Sequence, residues 1–178
     1  MVVRSAGDSG LTVRRLTPAD GARLAPLRLA ALADAPHAFL SSPEDDMANS
    51  PEFVSEMLGD PDQAVFAAVT DGDALAGMAG IYRDRHTKRR HEAHIWGVWV
   101  APEIRSRGVG RGLVVAAIDF ARSLAGVTHV VTSATERATE AIALYHSLGF
   151  VTWGVEPDVM LVGGELLAEH HMVLALAE

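Results

Sequence analysis

The run Val98-Trp99-Val100-Ala101-Pro102-Glu103-Ile104-Arg105-Ser106-Arg107-Gly108-Val109-Gly110-Arg111-Gly112 joins an apolar, strand-like segment to a basic glycine-rich turn and then to an apolar helical segment. The first N–H groups of a helix have no acceptor within it, and the macrodipole is positive there, so such a turn suits phosphate. Its glycines allow the close backbone approach that a Cβ would block. The chemistry this predicts is capture of a phosphorylated cofactor by Arg105, Ser106, Arg107, Gly108, Val109, Gly110, Arg111 and Gly112. Neither Gly-x-x-x-x-Gly-Lys-Ser/Thr nor Gly-x-Gly-x-x-Gly fits the run, which excludes two common phosphate motifs.

Acid–base chemistry has fewer candidates. Side chains alternate along a strand, so Glu92, His94, Trp96, Val98 and Val100 are expected on one face. His91, Ala93, Ile95, Gly97 and Trp99 take the other, unless a bulge intervenes. An imidazole, with an ordinary pKa near roughly 6.5, can accept a proton from an ammonium group directly or through water. Glu92 is the second candidate on that face. His91-Glu92-Ala93-His94 is one residue short of the His-Glu-x-x-His zinc motif, and on a strand its histidines diverge, as do His170 and His171. No metal site is expected.

These groups need elements to hold them. Leu11 to Leu16 reads as a strand and Leu24 to Ala33 as a helix, with Pro26 predicting a kink or a nearby helix start. Asp34 to Asn49 reads as a loop and Pro51 to Leu58 as a short helix. Strands over Gln63–Val69 and Ala74–Tyr82 flank the hairpin turn Asp71-Gly72-Asp73. A strongly basic connection, Arg83 to Arg90, leads to a long strand over His91–Val100. A helix follows from Gly108 to Ala125, stopped by Gly126, and then a strand over Val127–Thr132. Ser133-Ala134-Thr135-Glu136 has a capping-box pattern and predicts a helix start, with the helix ending near Leu148-Gly149. Phe150–Trp153 and His170–Leu176 read as strands, with Val155–Glu165 between them loop-like or hairpin-forming. This order predicts an α/β (α+β) domain, a mixed sheet flanked by helices.

The chain has 178 residues, 49% of them hydrophobic and 21% charged, which suits a single globular domain over residues 11–178. Residues 1–10 read as a flexible tail without the apolar core of a signal peptide. There is no cysteine, which excludes disulfides and a thiol nucleophile. No apolar stretch approaches the roughly 20 residues of a membrane helix, so the expected compartment is the cytoplasm. The formal net charge of −8 argues against general nucleic-acid binding.

The segment Arg105-Ser106-Arg107-Gly108-Val109-Gly110 resembles the cofactor signature of the GNAT superfamily of N-acetyltransferases: Arg or Gln, two residues, Gly, one residue, then Gly or Ala. Leu144-Tyr145-His146-Ser147-Leu148-Gly149-Phe150 is similar to a second family feature, a helix ending in Leu-Tyr, three residues, then Gly-Phe. With the element order, the resemblance covers roughly Leu11 to Leu176. It implies a mostly antiparallel sheet with a splayed parallel strand pair, and acetyl-coenzyme A as cofactor. The diphosphate would lie on the glycine-rich turn and the pantetheine arm along Val98, Trp99 and Val100, one of whose N–H groups would serve as oxyanion donor. The implied reaction is transfer of an acetyl group to a primary amine, by direct attack in a ternary complex. The amine would belong to a small molecule, a peptide or a protein. Tyr145 takes the place of the family's acid for the leaving thiolate. His94 stands where some members carry a carboxylate base. A substrate pocket is expected from Pro36 to Phe39, Trp96, Trp153 and Val155 to Leu161. Homodimers are common in this fold, which makes one an expectation here. One departure stands out: Ala138 replaces an asparagine that often contacts the cofactor. The rival reading is an acyl-coenzyme A binding or sensing module with little turnover.

Overall fold

Alternating apolar residues decide how the central strands are covered. In Gln63–Thr70, Ala64, Phe66 and Ala68 face one core while Val65 and Ala67 face another. A strand buried on both faces must lie inside the sheet with helices above and below. The computed structural model, which describes residues 3–4 and 10–176, has that architecture. In chain order the strands are β1 (Val3–Arg4), β2 (Leu11–Arg15), β3 (Gln63–Thr70), β4 (Leu75–Arg83), β5 (Glu92–Val100), β6 (His129–Thr135), β7 (Val151–Val162) and β8 (Glu165–Ala175). The helices are α1 (Gly21–Asp34), α2 (Pro51–Gly59), α3 (Val109–Ser123) and α4 (Thr139–Ser147). The strands form one sheet in the order β1-β2-β3-β4-β5-β6-β8-β7. Every pair is antiparallel except β5 and β6.

Helix α3 packs Leu113, Val114, Ala117 and Ala121 onto one face of the sheet. Helices α1 and α2 cover the other with Leu24, Leu27, Leu32, Val54 and Met57. Pro26 lies inside α1, whose start at Gly21 precedes it by more than a turn. The segment after α1 is latched down rather than free. Arg28 on α1 binds Asp46 through Nε at 3.0 Å and Nη2 at 2.9 Å, and both residues are buried. Thr135 Oγ1 donates to the His37 carbonyl at 2.7 Å.

Two expectations need correction, and a third resolves between its alternatives. The Ser133–Glu136 pattern opens no helix: β6 runs through Thr135, Ser133 and Thr135 pair with His171 and Glu169 of β8, and α4 begins at Thr139. Ladder pairing with a neighbouring strand overrides the local capping preference. Of the loop and hairpin readings of Val155–Glu165, the hairpin holds: Val155–Val162 belongs to β7, which turns into β8 through Gly163 and Gly164 at positive φ. The largest change is in β5, where a bulge at Gly97 (φ 63°) breaks the pairing between Met78↔Trp99 and Gly80↔Trp96. A bulge inserts a residue and reverses the faces beyond it. Val98 and Val100 therefore pack toward α3 with Ala93 and Ile95, while Trp96 and Trp99 join the α1–α2 side. Glu92 and His94 do not share a face with Val98 and Val100. Residues 1–2 and 5–9 of the expected tail, and 177–178, lie outside the described residues.

Candidate active site

The cofactor turn is built by two residues in left-handed conformation. Ser106 has φ 61° and Gly108, the N-cap of α3, has φ 75°. Gly112 N–H is the first in the helix to find a carbonyl, that of Gly108 at 3.0 Å. Among the described residues, the N–H groups of Val109, Gly110 and Arg111 have no acceptor, which leaves a concentrated donor set at the positive end of α3. Arg107 is exposed and has no ion-pair partner among the described residues. The other two arginines are engaged. Arg105 donates from Nε to the Val100 carbonyl at 2.9 Å and from Nη2 to Asp34, which also accepts from Trp99 Nε1 at 2.8 Å. Arg111 Nη1 donates to Ser147 Oγ at 3.1 Å. Arg105 thus ties the end of β5 to the end of α1.

Next to this turn the parallel pair separates. β5 and β6 pair only over Glu92–His94 and His129–Val131. Past that point Thr132 Oγ1 donates to the Ile95 carbonyl at 3.3 Å, and Trp99 and Val100 keep ladder partners on the β4 side alone. A cavity of about 710 Å³ opens in the gap. Val98, Thr132, Ala138 and Tyr145 line it near α4, and Phe39, Phe53, Tyr82, Asp84 and Trp96 line it further along. Ala38, Val159 and Met160 contribute as the resemblance implies, whereas Pro36, His37, Val155–Asp158, Leu161 and the 68% exposed Trp153 are not part of this wall.

Tyr145 is 3% exposed. Burial pushes its hydroxyl up to about 12, partly offset by the neighbouring Thr132 side chain. A phenol in that state stays protonated at neutral pH and is a donor. His94 lies on β5 beside the cavity, behind residues that line it. Its ring stacks on Tyr82 (centroids 4.8 Å apart, planes within 6°), and its Nε2 lies 3.3 Å from Asp84 Oδ2. Burial lowers its pKa, and the Asp84 carboxylate opposes that shift. Glu92 is committed elsewhere: Arg89 Nη2 donates to its Oε2 at 2.7 Å, and it does not line the cavity.

Two residues that matter here escaped the sequence reading. Asp84 lines the cavity, is 7% exposed, and accepts from the His86 N–H at 2.9 Å. That bond, the His86 ring and Arg89 hold its carboxyl down at about 2. Its signal was present as the lone acid within the basic stretch Arg83–Arg90. Arg28 is 5% exposed on the cavity floor, its guanidinium 4.7 Å above the Phe39 ring. Nothing in its local sequence marks it, because its burial comes from α1 docking on the sheet over β4, which brings Arg28 against Trp96 of β5.

The chain matches the Acetyltransferase (GNAT) family over residues 27–150. It is 30% identical to aminoglycoside N(6')-acetyltransferase type 1 of Stenotrophomonas maltophilia over 80% of this chain and 87% of that one. Identity to an uncharacterized protein of Mycobacterium leprae is 41% over 52% of this chain, which spans only 24% of that relative's length. Among solved structures, the putative acetyltransferase yncA of Salmonella typhimurium, determined with its cofactor acetyl-CoA, superposes with TM-score 0.79 at 26% identity, covering 96% of each chain.

Proposed function

The chain belongs to the GNAT acetyltransferase family, and from that premise we propose that it transfers an acetyl group from acetyl-coenzyme A to a primary amine by direct attack in a ternary complex. The observation that carries this reading is the junction of three features. Among the described residues the N–H groups heading α3 are unpaired, the β5–β6 ladder stops at His94, and a cavity continues from that gap past Tyr145. When bound, acetyl-coenzyme A supplies a thioester carbon as electrophile and a thiolate as leaving group.

The residues present suit that cofactor. The N–H groups of Val109, Gly110 and Arg111 would hold the diphosphate oxygens, with Arg107 adding charge. A Cβ on Gly110 would meet Leu144 and Val100 only at ordinary contact, 3.6 Å, so the fold itself does not require glycine there. Close approach by a ligand does. The edge of Val98–Val100 away from β4, apart from the Val100 carbonyl that Arg105 holds, would take the pantetheine arm as an added strand, and one of its N–H groups would serve as the oxyanion donor. Tyr145, protonated in the cavity wall, would be the proton donor to a leaving thiolate. His94 receives the proton released by the ammonium group through water. Glu92, held by Arg89, acts on the electrostatics of His94 rather than as the base.

The apolar wall of Phe39, Phe53 and Trp96 favours an amine on an apolar or extended carrier. A relative is named for an aminoglycoside, so that class enters the test. Calorimetry with acetyl-coenzyme A, followed by thiol release across an aminoglycoside, a lysine-containing peptide, a free peptide N-terminus and an amino acid, checks the reading. Tight binding with amine-dependent thiol release is the expected outcome. Binding without release supports a sensing module instead.

A further inference from the structure

Asp84 follows directly on β4, where its N–H donates to the Glu92 carbonyl at 3.0 Å, and one of its oxygens faces His94. We infer that Asp84 is a positioning residue that holds the His94 imidazole with its proton on Nε2, leaving Nδ1 as the lone pair that receives the amine's proton. The inference rests on the acetyltransfer reading and adds to it a group that neither the family signature nor the strand pattern marks.

The geometry supports this assignment from several directions. Asp84 is anchored from its other side by the His86 N–H and His86 Nδ1, each at 2.9 Å, so its carboxylate is fixed before His94 meets it. An ionised carboxylate has acceptors only, so the shared hydrogen at 3.3 Å belongs to His94 Nε2. Tyr82, stacked on the ring, prevents it from swinging away. Asp84 and Tyr82 both line the cavity, so they bring its wall up to the imidazole behind them. The charged groups facing His94 are Asp84 and Glu92, which favour its protonated form, and Arg89, which opposes it. Arg89 Nε lies 3.4 Å from Asp84 Oδ2, and Glu92 Oε2 lies 4.0 Å from His94 Nε2.

The proton balance is simple. The ammonium nitrogen gives one proton, through water, to His94 Nδ1; it loses a second as the adduct collapses to the amide, and that one replaces the proton Tyr145 gives to the leaving thiolate. The resulting imidazolium keeps its Nε2–H on Asp84 and later returns a proton to solvent. Asp84 stays ionised throughout, orienting the ring and stabilising its charged form. A carboxylate this acidic is a poor base by itself but a good partner for one.

The test reads the ring directly in the full-length protein, by nuclear magnetic resonance of the His94 nitrogens across a pH titration. The expected wild-type tautomer is Nε2–H. Asp84→Asn removes the favouring charge, so the His94 midpoint should fall by about one pH unit. Arg89→Gln, at an exposed position, removes the opposing charge and should raise it. With the most active amine of the panel above, Asp84→Asn should lower kcat about tenfold and carry the acid limb of the pH profile downward, with acetyl-coenzyme A affinity unchanged. In a His94→Gln background Asp84→Asn should add no further loss.

An Nδ1–H tautomer, or midpoints that do not move in opposite directions in the two variants, would overturn the dyad. Turnover whose acid limb ignores Asp84→Asn would overturn its catalytic role alone. A wild-type protein with no amine-dependent thiol release would remove that role together with the acetyltransfer reading, while the titration would still decide the dyad.

Discussion

Tyr145 and Arg105 show how a residue's surroundings settle its role. Both stand in motif positions, but Tyr145 is buried in the cavity wall with a hydroxyl pushed up to about 12, whereas Arg105 is spent on Asp34 and the Val100 carbonyl. A protonated phenol that cannot ionise at neutral pH is a donor to a developing thiolate, not a base. Tyr145→Phe keeps the ring's packing against Phe150 and loses only the donor. Steady-state kinetics should show kcat reduced about 10²-fold while calorimetry finds acetyl-coenzyme A affinity nearly retained. An unchanged kcat would remove Tyr145 from the chemistry.

At the scale of elements, the site depends on a helix start and a latched loop. Gly108 needs its φ of 75°, so Gly108→Ala should lower the unfolding free energy by about 1 kcal/mol in a denaturant titration. Gly110 has no such need. Gly110→Ala should leave stability unchanged and raise the acetyl-coenzyme A dissociation constant, a contrast that separates fold from ligand contact. The loop after α1 is held by the buried Arg28–Asp46 pair. Asp46→Ala would strand the Arg28 charge in an apolar setting beneath Phe39 and Trp96, at a cost of about 3–5 kcal/mol, which thermal or chemical unfolding would reveal. Arg28→Met combined with Asp46→Ala should recover part of that loss, because no uncompensated charge then remains.

For the whole molecule, acid stability follows from carboxylates that are better bound in the folded state than in the unfolded chain. Asp20 is held far below its ordinary 3.8 by the Arg14 guanidinium, with Thr17 adding hydrogen bonds. Asp84 is held at about 2. Above pH 3.8 both contribute their full stabilisation. As pH falls below that, the unfolded chain takes up protons first, and stability drains away until the native groups are themselves protonated. Melting temperature should therefore drop steeply between about pH 4 and pH 2, and Asp20→Asn should flatten that slope while lowering the plateau above it. A slope identical to wild type would show that Asp20 is not a source of it.

What the sequence alone determined was local or periodic. The glycine-rich turn needs particular residues at adjacent positions, the Leu144-Tyr145 and Gly149-Phe150 pairs mark a helix end, and the strand and helix order follows from alternating and helical apolar spacing. Those signals also carried the resemblance that the family match bears out. Tertiary structure decided the rest, because it concerns which distant residues meet. The Gly97 bulge reversed the face of Val98 and Val100, since one inserted residue shifts a period of two, and no residue pattern before it announces the register. Pairing with β8 kept Ser133–Thr135 in a strand despite its capping preference. Asp84 reached His94 only because β4 and β5 run side by side, and Arg28 sank beneath the cavity only because α1 packs across them. Contacts of that kind depend on long-range docking, which the local order of residues does not encode in any readable spacing.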